Sequence, residues 1–200
     1  MNAIEMEGYA SGHYDVVIVG SGISGIDAAY YLQQYCPWVK FCILERRQNL
    51  GGTWDFFKYP GIRSDSDMYT FGFSWKIWKA ENPIATADQI LDYLKEAVRE
   101  QNLVEKIRFG VNVKSASFSS SSAMWTLQSD SGTKYTCNML FGCTGYYSYE
   151  LPNKPVFPGA ANFKGVVVHP SEWTQEHDNA IIDKNVSIIG SGAVGNICCG

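Results

Sequence analysis

Three glycines near the start of the chain have the spacing of a phosphate-binding loop. Gly20, Gly22 and Gly25 form a G-x-G-x-x-G pattern between the apolar run "YDVVIVG" and a segment with helical periodicity. In this pattern the first glycine permits a tight turn, the second lets a pyrophosphate approach the backbone, and the third lets the helix pack close to the strand. Backbone amides at the start of that helix attract phosphate. The spacing therefore predicts a dinucleotide site.

An acidic residue stands where the ribose of such a dinucleotide would lie. Glu45 ends the apolar run "VKFCILE", about 20 residues beyond Gly25. A carboxylate at this place accepts hydrogen bonds from a ribose diol, and such charge-assisted bonds contribute ~1.5–3 kcal/mol. Because it would repel a 2′-phosphate, we expect the first site to hold FAD or NAD rather than NADP.

A second loop of the same kind lies at the end of the sequence. Gly190, Gly192 and Gly195 in "SIIGSGAVG" repeat the pattern of "VIVGSGISG", and the preceding "NVSIIG" (residues 185–190) is predicted to be a strand. Two dinucleotide sites are implied. Residues 196–200 amount to little more than one helical turn, and an isolated first turn is costly to nucleate. We therefore expect a truncated form that holds FAD weakly and does not turn over alone.

Strands and helices alternate around the first loop, which predicts an α/β fold. The runs before Gly20 and up to Glu45 are β-branched and nearly all apolar, as in parallel strands buried on both faces. Residues 46–80 lack clear periodicity, so we expect them to line a pocket. Thr86 and Gln89 form a capping box before a helix with apolar residues at 90, 91, 94, 97 and 98.

The second half of the chain predicts further strands and then a linker. "IRFGVNVKSASF", "AMWTLQ" and "KYTCNMLFGCTG" are each interpreted as one strand, and prolines at 152, 155 and 158 break regular structure. The predicted organisation is therefore a first nucleotide-binding domain over residues 1–145, a linker over 146–184, and the start of a second nucleotide-binding domain over 185–200.

Composition excludes several classes of function. Hydrophobic residues make up 46% of the chain, and the net charge of −4 gives no reason to expect a nucleic-acid partner. The first residues contain no apolar run of signal-peptide length, and no segment reaches the ~20 apolar residues of a membrane span, so we expect a cytoplasmic protein without a transmembrane segment. The six cysteines form no C-x-x-C pair and no cluster with metal-ligand spacing, so no metal site is predicted.

Two longer motifs carry a family resemblance. "GGTWDFFKYPGIRSD" (51–65) resembles the [A/G]-G-x-W-x-x-x-x-[F/Y]-P-[G/M]-x-x-x-D signature of type I Baeyer–Villiger monooxygenases, with Thr53 and Trp54 where disulfide reductases carry a redox cysteine pair. "FKGVVVHPSEWT" is similar to a second signature of that family, with Thr174 in place of the usual Pro or Asp. Among flavin-containing monooxygenases, the chain looks most like the ethionamide-activating bacterial enzymes. The matched positions are Gly51, Gly52, Trp54, Tyr59, Pro60, Gly61, Asp65, Phe163, Gly165, His169 and Trp173.

The resemblance implies a three-layer, Rossmann-like FAD-binding domain followed by an NADP-binding one. It implies an enzyme that uses FAD, NADPH and O2 to insert oxygen into a ketone, or add it to a sulfur, through a flavin peroxide. Asp65 would partner a catalytic arginine. The residues implied at FAD are Gly20, Gly22, Ser24, Gly25, Glu45, Gly52, Thr53, Trp54, Asp55, Phe56 and Asp65, with Val113 through its backbone. Arg63, Ser64 and Asp65 would face the nicotinamide, and Gly190, Ser191, Gly192, Ala193, Val194, Gly195 and Asn196 would bind NADPH.

Other interpretations stay open at this point. An amine N-oxygenating flavin monooxygenase is the nearest alternative, and a non-catalytic nucleotide-binding remnant that docks on a partner is the other. The large aromatic residues Trp54, Tyr59 and Trp173 would each suit an ordinary core, and His169 would suit a linker or hinge. An unfinished sheet would expose strand edges and apolar surface, so self-association is also expected.

Overall fold

A computed structural model describes residues 12–190, 192, 194 and 195. The described chain divides into two compact units. Unit one contains the residues up to 52 together with 93–145, and unit two contains 53–92 together with the residues from 146 onward. The domain boundaries at residues 145 and 184 remain predictions.

Unit one is built on a six-stranded mixed sheet with the strand order β3-β2-β1-β6-β5-β4. Strands β3, β2, β1 and β6 run parallel, whereas β6, β5 and β4 form an antiparallel meander. The mixed α/β fold expected from the sequence is confirmed. The strands are β1 (Gly12–Val19), β2 (Phe41–Glu45), β3 (Ile107–Phe109), β4 (Val113–Ser119), β5 (Met124–Ser129) and β6 (Lys134–Gly142).

The apolar sequence runs account for the centre of this sheet. All five residues of β2 are buried, as are the last apolar residues of β1 before Val19, because parallel strands are covered on both faces. Strand β4 is exposed over most of its length and forms one edge. One core cluster of unit one joins Val17, Cys42, Leu44, Val111, Leu127, Tyr135 and Cys137.

The prediction of one continuous strand over "IRFGVNVKSASF" is wrong. Gly110 has φ +71 and turns the chain between β3 and β4, so that β3 pairs in parallel with β2 while β4 pairs with β5. The backbone amide of Gly110 donates to the carbonyl of Arg47 (3.1 Å), and that of Val111 donates to the carbonyl of Glu45 (2.9 Å). The left-handed turn therefore keeps this segment beside the end of β2.

The described residues also form three short 3-10 helices, at Val104–Lys106, Ala160–Asn162 and Pro170–Glu172, and these α-helices: α1 (Ile23–Tyr35), α2 (Thr53–Phe56), α3 (Met68–Phe71), α4 (Ala87–Glu100) and α5 (Gln175–Ala180). The predicted capping box of α4 is confirmed, because the Thr86 amide donates to Oε1 of Gln89 (3.0 Å) and the Gln89 amide donates to Oγ1 of Thr86 (3.4 Å). The short helices α2 and α3 lie in the stretch that the sequence analysis treated as irregular.

The strand predicted over residues 185–190 does not form in the described chain. This prediction is wrong because an apolar run becomes a strand only when a neighbouring strand supplies its hydrogen bonds, and none of the described segments pairs with it. Its apolar side chains at 186, 188 and 189 are exposed.

Candidate nucleotide-binding site

The first glycine loop joins the end of β1 to the start of α1 in unit one. Gly20 follows Val19 with φ +107, and its amide donates to the carbonyl of Leu44 on β2 (2.9 Å). Helix α1 begins at Ile23 with Gly22 as N-cap, no side chain caps it, and its first turn carries no acidic residue. Its first amides are therefore left for an anion, which the helix dipole would favour.

The three glycines of this loop differ in what surrounds them. A Cβ on Gly20 would lie 2.9 Å from the carbonyl carbon of Cys143, and one on Gly25 would lie 3.0 Å from the carbonyl carbon of Gly20. A Cβ on Gly22 would meet only the Cα of Gly52, at an ordinary 3.8 Å. The outer two glycines therefore serve the packing of the protein itself, whereas the middle one leaves a surface that a ligand can approach.

Glu45 ends β2 beside this loop and is 6% exposed. Its Oε2 accepts two hydrogen bonds from Ser21, one from the backbone amide and one from the hydroxyl, both 2.8 Å. Its Oε1 accepts a bond from the backbone amide of Arg47 (2.9 Å). The acid that the sequence predicted is thus fixed against the glycine loop by three donors.

The glycine pair at 51 and 52 closes on the same loop. The amide of Gly51 donates to the carbonyl of Ser21 (3.0 Å), and the Arg47 guanidinium donates to the carbonyl of Gly52 (3.4 Å). Ser21 and Arg47 were missed by the sequence analysis. Ser21 occupies a variable position of the glycine pattern, and no spacing rule would have selected either residue.

The structure thus brings together the predicted residues Gly20, Gly22, Gly25, Glu45 and Gly52. Ser24 lies exposed in the first turn of α1. Val113 is the first residue of β4, half-buried, and follows closely after Val111, whose amide bonds the backbone of Glu45. This places Val113 on the segment that adjoins the acid.

The predicted residues 53–56 form α2 in unit two, where their aromatic rings pack against other rings. Trp54 meets Phe71 edge to face, with centroids 5.9 Å apart, and Phe56 stacks on Tyr149 at 3.9 Å. Asp55 is buried in the same short helix. These aromatic residues therefore have a packing role in unit two that does not depend on a ligand.

The segment Arg63–Asp65 is held by backbone pairing with the residues before α4. Arg63 forms an isolated antiparallel bridge with Thr86, and the Ser64 amide donates to the carbonyl of Ala85 (2.9 Å). The buried Ser64 hydroxyl donates to the carbonyl of Ser66 (2.8 Å). Asp65 is exposed. The pairing fixes the backbone of the segment and leaves the Asp65 carboxylate in contact with solvent.

The second long motif forms turns in unit two. Nδ1 of His169 lies 2.7 Å from the Ser171 hydroxyl and accepts from the Ser171 amide at 3.2 Å. Nε1 of Trp173 donates to Oδ1 of Asp178 (2.8 Å), and its ring packs against the cluster of Phe57 and Tyr59. His169 thus shapes a turn, in keeping with its interpretation as a linker residue.

The described glycines of the second loop resemble those of the first in two respects. Gly190 has φ +128, and a Cβ on Gly195 would lie 2.7 Å from the carbonyl oxygen of Gly190 and 3.7 Å from Cγ2 of Ile188. A Cβ on Gly25 would likewise lie 3.5 Å from Cγ2 of Ile18. Gly192 has open space around it, and Val194 is half-buried. The predicted residues Ser191, Ala193 and Asn196 lie outside the described residues.

A sequence profile described as flavin-binding monooxygenase-like matches residues 13–199. The chain belongs to this family. The chain is 47% identical over 184 residues to the FAD-containing monooxygenase EthA of Mycolicibacterium smegmatis, covering 90% of this chain and 37% of EthA. It is 46% identical over 183 residues to the probable FAD-binding monooxygenase AlmA of Acinetobacter sp, covering 90% and 36%. The chain thus spans just over a third of the length of these relatives.

Solved structures with the same fold include a steroid monooxygenase, OTEMO and cyclohexanone monooxygenase. An oxidised steroid monooxygenase bound to NADP is 30% identical, with a TM-score of 0.70 over 82% of this chain and 32% of that one. OTEMO in complex with FAD and NADP is 29% identical, with a TM-score of 0.77 over 92% and 36%. Cyclohexanone monooxygenase from Rhodococcus sp. Phi1 bound to NADP+ is 26% identical, with a TM-score of 0.74 over 94% and 36%. The resemblance to flavin-containing and Baeyer–Villiger monooxygenases is confirmed.

None of the helices among the described residues is both long enough and apolar enough to cross a membrane.

Proposed function

We propose that this chain binds FAD through the first glycine loop and Glu45, as the flavin-binding part of a monooxygenase. The observation that carries the proposal is the arrangement of Gly22 and Glu45. An open glycine caps a helix whose first amides have no side-chain cap, and a buried carboxylate held by Ser21 adjoins it. A pyrophosphate would accept hydrogen bonds from the helix amides, and a ribose hydroxyl would donate to the carboxylate.

The donor and acceptor chemistry of Glu45 suits a ribose with free hydroxyls. An ionised carboxylate has about four acceptor positions. Ser21 and Arg47 use three of them, two on Oε2 and one on Oε1. One position on Oε1 is left for a ribose hydroxyl, whereas a 2′-phosphate would meet an uncompensated negative charge. FAD therefore fits this loop better than NADP does.

The second loop is proposed to bind NADPH. Gly190 shares the positive φ of Gly20, and Gly195 shares the close approach of Gly25 to the first glycine of its loop. Both an oxidised steroid monooxygenase and OTEMO are described with NADP bound. By motif match, Thr53, Trp54, Asp55, Phe56, Arg63 and Ser64 remain proposed cofactor contacts, and Asp65 remains the proposed partner of a catalytic arginine. The exposed carboxylate of Asp65 is available for such a pair.

The reaction is proposed for the whole protein. One atom of O2 enters a ketone to give an ester, or is added to a sulfur, and the other leaves as water while NADPH gives up two electrons. FAD supplies the redox chemistry, and the residues of this chain bind and orient it. The cytoplasmic location remains a prediction.

FAD titration tests the binding proposal. We expect the chain to quench flavin fluorescence on binding, and we expect Glu45→Gln to weaken the affinity about 10–100-fold, because a charge-assisted bond contributes ~1.5–3 kcal/mol. Glu81→Gln makes the same change in charge at an exposed residue and should leave the affinity unchanged. If wild-type chain and FAD do not associate, the proposal is wrong.

The reaction is tested on the whole protein with NADPH and with each of three substrates in turn: a cyclic ketone, a sulfide and a tertiary amine. We expect an ester from the ketone or an oxide from the sulfide. An N-oxide from the amine alone would favour an N-oxygenating enzyme. Bound FAD without any turnover would favour a non-catalytic nucleotide-binding module.

A further inference from the structure

Ser21, which lies between the first two glycines of the first loop, makes three hydrogen bonds within the candidate site. It is completely buried, at 0% exposure, although its side chain is polar. Its amide and its hydroxyl donate to the same oxygen, Oε2 of Glu45, each at 2.8 Å. Its carbonyl accepts from the amide of Gly51 (3.0 Å). All three of its polar groups are therefore used within the candidate site.

The hydroxyl contributes something that the backbone cannot. A glutamate side chain has three rotatable bonds, and the amides of Ser21 and Arg47 restrain its carboxylate at one oxygen each. The Ser21 hydroxyl adds a second donor on Oε2, so that both acceptor positions of this oxygen are filled and only Oε1 is left for a ligand. The acceptor position that remains on Oε1 then has a defined direction, which a hydroxyl of a ligand needs in order to bond well.

A purely structural role for the hydroxyl would produce a different pattern. If the serine hydroxyl served only to stabilise the fold, its removal would lower stability and would weaken the binding of all ligands of the loop to the same extent. If the hydroxyl orients Glu45, its removal would weaken the binding of ligands that bond Glu45 and would leave the affinity of other ligands unchanged. Ligands with and without the ribose hydroxyl therefore separate the two roles.

We propose that Ser21 is a positioning residue for ribose recognition and that its hydroxyl sets the preference of the first site for nucleotides with an intact ribose diol. The inference rests on the proposed binding of FAD at this loop. In this proposal Glu45 bonds the ribose, and Ser21 contributes to the selectivity of the site by orienting Glu45. Ser21 does not touch the ligand in this account, because both of its side-chain and backbone donors are directed to Glu45.

The test compares ADP with 2′-deoxy-ADP and 3′-deoxy-ADP, which share the pyrophosphate and the base, by calorimetric titration of the full chain. For the wild type we expect one deoxy nucleotide to bind about 10-fold more weakly than ADP, as the loss of one charge-assisted bond implies. In Ser21→Ala we expect this ratio to fall to about 3-fold or less, and in Ser21→Thr, which keeps the hydroxyl, we expect it to return towards the wild-type value.

Three results would overturn the inference: a Ser21→Ala ratio equal to the wild-type ratio, an equal loss for all three nucleotides, or a wild type that does not distinguish them. If FAD and ADP both fail to bind the wild type, the proposed function itself is wrong and the inference falls with it. Circular dichroism establishes that the variants fold. Should Ser21→Ala unfold, Ser21→Cys is measured instead, since a thiol of similar size is a weak donor and should also reduce the ratio.

Discussion

Replacing Gly25 by alanine should destabilise the fold, whereas the same change at Gly22 should mainly reduce ligand binding. A Cβ on Gly25 would lie 3.0 Å from the carbonyl carbon of Gly20 and closer still to its oxygen. Favourable contacts between carbon atoms lie at about 3.5–4.0 Å, so α1 and the loop would have to separate by about 0.5 Å or more. Both are backbone and have no alternative rotamer to adopt.

The size of the effect follows from two opposing terms. Overpacking of a filled interior costs ~1–3 kcal/mol, and a rigid backbone neighbour places this site near ~3 kcal/mol. Alanine is better than glycine inside a helix by up to ~1 kcal/mol. The net expectation for Gly25→Ala is therefore a loss of about 2 kcal/mol. For Gly22→Ala, whose Cβ has its nearest neighbour at 3.8 Å, the expected loss is below ~1 kcal/mol.

Urea denaturation measures the free energy of unfolding, and FAD titration of each variant measures affinity. Gly25→Ala should show the larger shift of the denaturation midpoint, while Gly22→Ala should stay folded and lose FAD affinity, because its methyl group would occupy the surface that faces the pyrophosphate. If Gly22→Ala bound FAD as the wild type does, or if Gly25→Ala were as stable as the wild type, the roles assigned to these glycines would be wrong.

Three further measurements test other features of the chain. Thr86→Ala should destabilise α4 by ~1 kcal/mol in thermal or urea unfolding, because it removes the side-chain acceptor for the Gln89 amide, and Thr86→Ser should retain most of that stability. Burial raises the pKa of the Cys42 thiol to about 12, from an ordinary 9.0. Between about pH 9 and 12 only the unfolded state therefore loses this proton. As the pH rises through this range, the free energy of unfolding of the wild type should fall more steeply than that of Cys42→Ala, by up to ~1.4 kcal/mol per pH unit. The exposed apolar residues Leu151 and Val156 lead us to expect concentration-dependent association in sedimentation, and a Val156→Lys variant that associates as strongly as the wild type would contradict that expectation.

Features that one local pattern determines could be predicted from the sequence. The glycine loop, the strands on either side of α1 and the acid at the end of β2 all follow from the positions of Gly20 and Glu45 and the apolar runs before them. The capping box at Thr86 is equally local, since both partners lie within one turn of helix. These features needed no knowledge of which segments meet in space.

Features that depend on neighbours distant in sequence could not be predicted in this way. The apolar character of residues 185–190 indicated a strand, but strand formation requires a partner, and periodicity carries no information about one. The break at Gly110 was missed because both sides of it look like strand. The contacts of Ser21 and Arg47 arise only after β2 and the following glycine pair have folded back onto the loop, so residue type and spacing could not reveal them.

The hydrogen bonds around Glu45 also bear on the kinetics of nucleotide capture. Because the carboxylate is already oriented by protein donors, a nucleotide arriving at the loop does not have to order this side chain, and the entropic cost of association is lower by that amount. Capture should then follow a single fast phase whose rate rises in proportion to nucleotide concentration, with no later isomerisation step at this acid.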